Sequence, residues 1–436
     1  MTGGFVIAAP ASGCGKTIIT LALLRALRRA GHRPGSLKIG PDYIDPGFHR
    51  AASGGVCRNY DVWAMRPHTL DDQVAHVARD SDIMVAEGVT GLFDGAADGT
   101  GSTADAAARL GWPVILVVDV TGQGASVAAL VEGFANHRDD TAIAGVILNR
   151  VGSDRHRHIL RNALAPTAIP ILGMVPRDAV LQLPDRHLGL VQAGEQPLLE
   201  EQIEAAASLV EAEIPVGPLA ALAEATVPAG LSGTSPPVPP PGQHIAVARD
   251  AAFSFAYPHI LEGWRTAGAS VSYFSPLADE APDPATDAIY LPGGYPELHA
   301  AQLAANGAFL QGLRWAAGEG ATLYGECGGF MVLGDTLTDR DGAEHEMAGL
   351  LPVKTSFAAP RLHLGYRRLT LCGDSFLGKK GASYNGHEFH YSAQLSSRAE
   401  VPLFEGTDAM GTELSPLGCR QGSVMGAYCH LIDRAG

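Results

Sequence analysis

Short apolar runs alternate along this chain with stretches whose apolar residues recur at helical spacing. In the first half, the runs 5–9, 36–39, 83–86, 113–120, 143–148 and 169–175 predict strands. Helical patterns lie between them, such as 17–29, which stops at Gly31. Strands that are apolar without interruption have both faces covered, so the pattern predicts a parallel sheet with helices on each side. Residues 226–243, TVPAGLSGTSPPVPPPGQ, break the alternation with six prolines and no charge. Such a run favours extended polyproline geometry and predicts a semi-rigid linker. Beyond it the alternation restarts. Residues 245–248, 270–274, 288–291 and 321–324 read as strands, 300–317 as a helix, and 424–430 as one late strand. The expected fold class is α/β in two domains, 1–225 and 244–436, joined by the linker 226–243.

The first strand runs into APASGCGKT and then a helix. A loop of small residues there, Ser12, Gly13 and Gly15 among them, can turn backbone N–H groups toward phosphate oxygens, and the helix dipole adds to the attraction. Lys16 would set its ammonium by the β/γ phosphates, and Thr17 would offer a hydroxyl to Mg²⁺. Pro10 stands where the phosphate-loop pattern has its first glycine. KIGPDYIDPGFH (38–49) follows the second strand and AEGVTGLFDG (86–95) the third. They bring Asp42, Asp45, Glu87 and Asp94 to the carboxyl ends of parallel strands, where Mg²⁺ and a reacting carboxyl group must be held. Asp45 and Glu87 are the expected metal ligands, and Lys38, Asp42 and Asp94 the expected contacts of the substrate and its acyl phosphate. Asn149 and Arg150, after the strand 143–148, touch the purine, or Asn149 caps the strand end.

In the second half, the strand 321–324 leads into GECGGF. Glycines flanking Cys327 permit a tight strand-to-helix turn from which the thiol projects, and a helix N-terminus favours thiolate. LPGGYPE (291–297) also ends a strand with two glycines, so N–H groups of Gly293, Gly294 and Gly328 are the expected oxyanion hole. The base is expected to be His430, in GAYCHLI. GHEFHY (386–391) lacks the second histidine of a zinc-protease helix, Tyr391 standing in its place. A structural or substrate-contacting role is expected for His387, Glu388 and His390 rather than metal binding. The basic run DRHRH (154–158) is a solvated face or a contact for a polyanionic substrate.

Composition narrows the classes. The formal net charge of −15 gives no general attraction for nucleic acid or an anionic membrane, so any anionic ligand needs a local site. With 46% hydrophobic and 18% charged residues the chain can pack cores and is not of disordered type. The N-terminus reads as no signal peptide, and the apolar run 110–118 is too short to span a bilayer. Six cysteines without a CxxC pair read as reduced thiols of a cytoplasmic protein.

Together these segments resemble the cobyrinic (or hydrogenobyrinic) acid a,c-diamide synthases of the cobalamin pathway, over essentially the full length. The carriers are APASGCGKT, KIGPDYIDPGFH, AEGVTGLFDG, the stretch 176–190, IAVARDAAFSFAY (245–257), LPGGYPE, YGECGGF, GHEFHYS and His430. The first half is similar to dethiobiotin synthetase and the second to class I glutamine amidotransferases. The resemblance implies a thiolate of Cys327 that takes the amide of glutamine as a γ-glutamyl thioester and releases ammonia, with His430 shuttling the proton. It also implies Mg·ATP that phosphorylates acetate carboxylates of a corrinoid polycarboxylic acid, the a and c side chains being amidated in turn, and a homodimer. Two other readings are a diamide synthase acting on another tetrapyrrole, nickel-sirohydrochlorin, and a regulatory P-loop ATPase. Glutamine amidotransferases commonly have Glu two residues after the histidine, and here that position is Ile432.

Overall fold

The computed structural model describes residues 3–182, 192–224, 235–397 and 401–436. The chain forms two compact units, Met1–Trp63 with Pro67–Gly233, and Ala64–Arg66 with Thr234–Gly436. Part of the stretch 176–190 and the first half of the proline-rich segment 226–243 lie outside the described residues. The remainder of that segment packs on the second unit, where Val238 is buried and its carbonyl accepts from Trp264 Nε1 (3.1 Å).

In the first unit β1 (Gly4–Ala8), α1 (Lys16–Arg29), β2 (Pro34–Ile39), α2 (Asp45–Ser53), β3 (Cys57–Tyr60), α3 (Pro67–Asp80) and β4 (Ile83–Glu87) come first. They are followed by α4 (Thr103–Leu110), β5 (Val114–Asp119), α5 (Val127–Ala135), β6 (Ile143–Val151), α6 (Asp154–Leu164), β7 (Ile171–Pro176), α7 (Leu199–Glu213) and α8 (Val216–Glu224). The seven strands make one sheet in the order β3-β2-β4-β1-β5-β6-β7, every pair parallel. Phe5, Val6, Ile7 and Val114 through Leu116 are fully buried, as strands covered on both faces require. Helix α1 buries Leu21, Leu23, Leu24 and Leu27, and its Arg25 pairs with Glu200 (2.8 Å) and Glu204 of α7. Strand β3 was not expected. It is four residues long, sits at the sheet edge, pairs only with β2, and its CRNY sequence has no apolar periodicity.

The second unit contains β8 (His244–Ala248), α9 (Pro258–Thr266), β9 (Ser270–Phe274), β10 (Ala288–Leu291), α10 (Ala300–Ala305), α11 (Gly307–Gly318), β11 (Thr322–Glu326) and α12 (Gly328–Leu333). The short strands β12 (Thr336–Thr338), β13 (Glu344–Glu346) and β14 (Val353–Ser356) follow, then β15 (His363–Leu371), β16 (Ser383–His390), β17 (Ala393–Ser397) and β18 (Phe404–Asp408). β19 (Cys419–Gln421), β20 (Val424–Ala427) and β21 (His430–Arg434) end the chain. The main sheet runs β19-β20-β11-β10-β8-β9, parallel except for β19, and two four-stranded sheets join it, β13-β12-β14-β17 and β18-β15-β16-β21. The expected helix 300–317 is broken at Asn306, whose side chain donates to Pro276 O (2.7 Å) and Leu277 O (3.3 Å) instead of letting the helix continue. The expected strand 424–430 is two strands. The chain leaves the main sheet after Ala427 and enters the other sheet at His430. Among the described residues no single helix is long and apolar enough to cross a membrane, although α7 and the following helix pass as a pair bent by 89°.

Candidate active sites

In the first unit, β1, β2 and β4 are adjacent, and the segments that leave their carboxyl ends carry the expected nucleotide residues. Gly13 and Gly15 have φ of 81° and 90°, which the loop between β1 and α1 needs and other residues adopt only under strain. Ser12 is exposed on that loop. Asn149 is buried and donates to Cys14 O (2.9 Å), so it braces the loop from β6. Lys16 Nζ donates to Thr90 O (2.5 Å), and burial lowers its pKa.

The register sets Lys38 opposite Glu87, so both side chains leave the same face. Lys38 Nζ meets Glu87 Oε1 at 2.9 Å and Asp45 Oδ2 at 2.5 Å. Thr17 Oγ1 donates to Glu87 Oε1 (2.6 Å), and His49 Nε2 meets the other oxygen (2.6 Å). Burial would raise Glu87, but Lys38, His49 and Thr17 outweigh it and keep the carboxylate ionised below its usual range. Burial opposes the charge on His49 too, yet Cys57 and Glu87 lift it to about 10. Asp45 is pushed up by burial and by Asp42, against the pull of Lys38. His49 was missed in the sequence reading; it follows Asp45 by one helical turn of α2, so the spacing puts both on one face. Asp42 and Asp94 act locally as turn caps. Asp42 Oδ1 accepts from the N–H of Ile44 and Asp45 (2.8 and 3.0 Å), and Asp94 Oδ2 from Gly91 N (2.9 Å).

In the second unit, β10 and β11 pair with Leu291 opposite Gly325, so the two-glycine loop and the cysteine turn leave the sheet side by side. Cys327 has φ 48°, ψ −107°, a strained turn that the glycines around it permit. A side chain at Gly329 would overlap Leu291 O, and one at Gly325 would come within 2.7 Å of the backbone of Gly329. Gly293 is a close neighbour of both Cys327 and His430: a methyl group there would overlap His430 Cε1 and stand 2.9 Å from Nε2 and 3.2 Å from Cys327 Cβ. The backbone nitrogen of Gly294 comes within 3.1 Å of where a Gly328 side chain would start, so these two glycines of the expected oxyanion hole are neighbours. Gly293 O accepts from Phe255 N (2.9 Å), which ties IAVARDAAFSFAY to this loop.

Cys327 is 3% exposed and His430 fully buried. Contrary to the expected thiolate, burial pushes the Cys327 thiol up, with Glu297 adding to the effect and the N–H of Gly328 opposing it. Burial, then His387 and His390, push His430 down to about 3, the Phe255 carbonyl pulling the other way. Burial thus favours the uncharged form of both groups. Glu326, also missed, has a carboxylate oxygen 3.9 Å from His430 Nδ1.

GHEFHY forms β16, not a helix. His390 Nε2 meets Glu388 Oε1 (2.8 Å), and Arg367 Nε donates to Glu388 Oε2 (2.7 Å). His363, Glu388 and His390 cluster closely enough to suggest an ion site. The two imidazoles are stacked, however, with centroids 4.7 Å apart and planes within 7°, so their nitrogens point in parallel and not toward a common centre.

Residues 5–191 match the CobQ/CobB/MinD/ParA nucleotide binding domain family, and residues 244–435 the CobB/CobQ-like glutamine amidotransferase domain family. The hydrogenobyrinate a,c-diamide synthase of Rhizobium meliloti (strain 1021) is 54% identical over 430 residues, 99% of either chain. The protein of the same description from a Sinorhizobium species is 52% identical over 433 residues, again 99% of either chain. Among solved structures, PurLQS from Thermotoga maritima is 18% identical, with a TM-score of 0.33 over 43% of this chain and 86% of its own.

Proposed function

Because the chain belongs to the hydrogenobyrinate a,c-diamide synthase family, we propose that it amidates the a and c acetate carboxylates of hydrogenobyrinate in cobalamin biosynthesis, using ATP and glutamine. The observation that supports this reading is that Cys327 and His430 both pack against Gly293. In the glutaminase half, Cys327 gives its proton to His430 as Sγ attacks the side-chain amide carbon of glutamine. The N–H groups of Gly294 and Gly328 receive the oxyanion. His430 passes the proton to the departing nitrogen, so ammonia leaves and a γ-glutamyl thioester remains. Water then cleaves the thioester, releasing glutamate and restoring the thiol.

In the synthetase half, an acetate oxygen attacks the γ-phosphorus of ATP and ADP departs. Ammonia adds to the resulting acyl phosphate, and inorganic phosphate leaves an amide. A carboxylate is a poor electrophile, which is why phosphorylation is needed. Lys16 is suited to the phosphates and Lys38, already charged among Asp42, Asp45 and Glu87, to the anion forming on the acyl phosphate. The hydroxyl of Thr17 and the carboxylates of Asp45 and Glu87 are the hard oxygen donors that Mg²⁺ takes. The contact of the Thr17 hydroxyl with Glu87 (2.6 Å) brings two such donors together. When bound, Mg²⁺ would neutralise charge on the transferring phosphate. Asn149 is assigned the bracing of the phosphate loop. Six free thiols support a cytoplasmic location.

The test is a coupled assay of the purified protein with ATP, glutamine and either hydrogenobyrinate or cobyrinate, read by product mass and by glutamate release. Doubly amidated hydrogenobyrinate with matching glutamate is expected. ATP hydrolysis without any amidated product would overturn the reading.

A further inference from the structure

The base of a nucleophile–base pair needs a third group to orient it and to stabilise the cation it becomes. Position 432, where that group would stand two residues after His430, holds a fully buried isoleucine. A carboxylate nevertheless faces the ring from another strand. Glu326 ends β11, one residue before the nucleophile, and its Oε2 is 3.9 Å from His430 Nδ1. Oε1 accepts from Tyr324 OH (2.9 Å) and from Leu431 N (3.0 Å), and Oε2 accepts from Tyr290 OH (2.7 Å). None of these three donors is charged. One carboxylate thus grips the backbone amide next to His430 while facing its ring, which fixes how β21 begins.

We propose that Glu326 is the positioning carboxylate of the glutaminase site, supplied from the nucleophile's own strand instead of the histidine's, and that it stabilises the imidazolium of His430 during the transfer of the thiol proton. The inference rests on the assignment of Cys327 and His430 made above. The separation is too long for a hydrogen bond in the ligand-free state, and catalytic hydrogen bonds commonly tighten only with substrate bound. Both phenols lie well above their usual pKa through burial and the nearby Glu326, so they remain donors. Burial lifts Glu326 itself to about 7, its three donors pulling the other way. The ion pair forms as His430 takes up the proton. Other titratable groups around the ring are His387 and His390 on β16, Tyr257 with its ring centroid 6.3 Å away, Tyr290 on β10, and Cys327.

The experiment measures glutamate release and ammonia-supported synthesis, across pH, for full-length wild type, Glu326→Gln and Glu326→Asp. Glu326→Gln is expected to lower kcat for glutamine about 10²-fold or more, with KM within about threefold and ammonia-supported synthesis unchanged. Glu326→Asp should recover part of the loss and shift the acid limb of the glutamine pH–rate profile. Wild-type-like glutamine turnover in Glu326→Gln, or an equal loss of both activities in both variants, would overturn the proposal. Should Glu326→Gln fail to fold, Glu326→Asp decides alone: partial turnover with a shifted limb supports the role, and an unchanged profile refutes it. Absence of glutamate release by the wild type would instead overturn the Cys327–His430 assignment.

Discussion

Replacing Gly293 by alanine adds one methyl group at the closest point of the glutaminase site. That carbon would overlap His430 Cε1 and come within 2.9 Å of Nε2 and 3.2 Å of Cys327 Cβ. Neither neighbour can step aside easily. His430 is fully buried, and Cys327 is pinned by the bond from its N–H to Ala427 O (2.9 Å). Relief therefore means separating thiol and ring by about 1 Å, a displacement that can cost about 10²-fold in rate, or about 2.7 kcal/mol of barrier. Glutamate release with saturating glutamine should fall by that factor in Gly293→Ala. ATP-dependent synthesis from ammonium chloride should stay at the wild-type rate, because free ammonia bypasses the glutaminase chemistry. Glutamine turnover within about threefold of wild type would show that Gly293 is not a close neighbour of nucleophile and base, and the reasoning would fail.

Two further predictions concern the other clusters. Lys16→Ala should abolish synthesis with either nitrogen donor while glutamate release persists; a variant that still makes amide from ammonia would remove Lys16 from the phosphate site. Glu388 is held down at about 2, against its burial, by His390 and Arg367. A carboxylate depressed on folding contributes stability above its ordinary value of 4.5, and that stability is lost as pH falls toward 2, on the order of 3 kcal/mol in all. Thermal midpoints should fall over that window, and Glu388→Gln should flatten the fall; an equally steep fall in the variant would contradict it.

How much was legible depended on whether the information was local. The strand, glycine loop and helix from β1 to α1, and the turn at Cys327, are read from neighbouring residues because small side chains and periodicity act over a few positions. What was missed was set elsewhere. Strand β3 exists because β2 offers an edge, not because CRNY prefers to extend. The apolar run 424–430 contains no local mark of its division, since the division comes from two different sheets competing for its two halves. Asn306 breaks a helical pattern through carbonyls at 276 and 277, far back in the chain. Glu326 looked like part of the cysteine motif, and only folding brings its carboxylate to His430. The burial that pushes the Cys327 thiol up is likewise not read from a motif.

The account stands or falls on one chain holding two chemically separate sites, a nitrogen donor site and an acid-activating site. Cys327→Ser tests this most directly, assayed for ATP-dependent amide formation first with glutamine and then with ammonium chloride. The account predicts no product from glutamine and wild-type synthesis from ammonia. Loss of both, or retention of glutamine-supported synthesis, would contradict it.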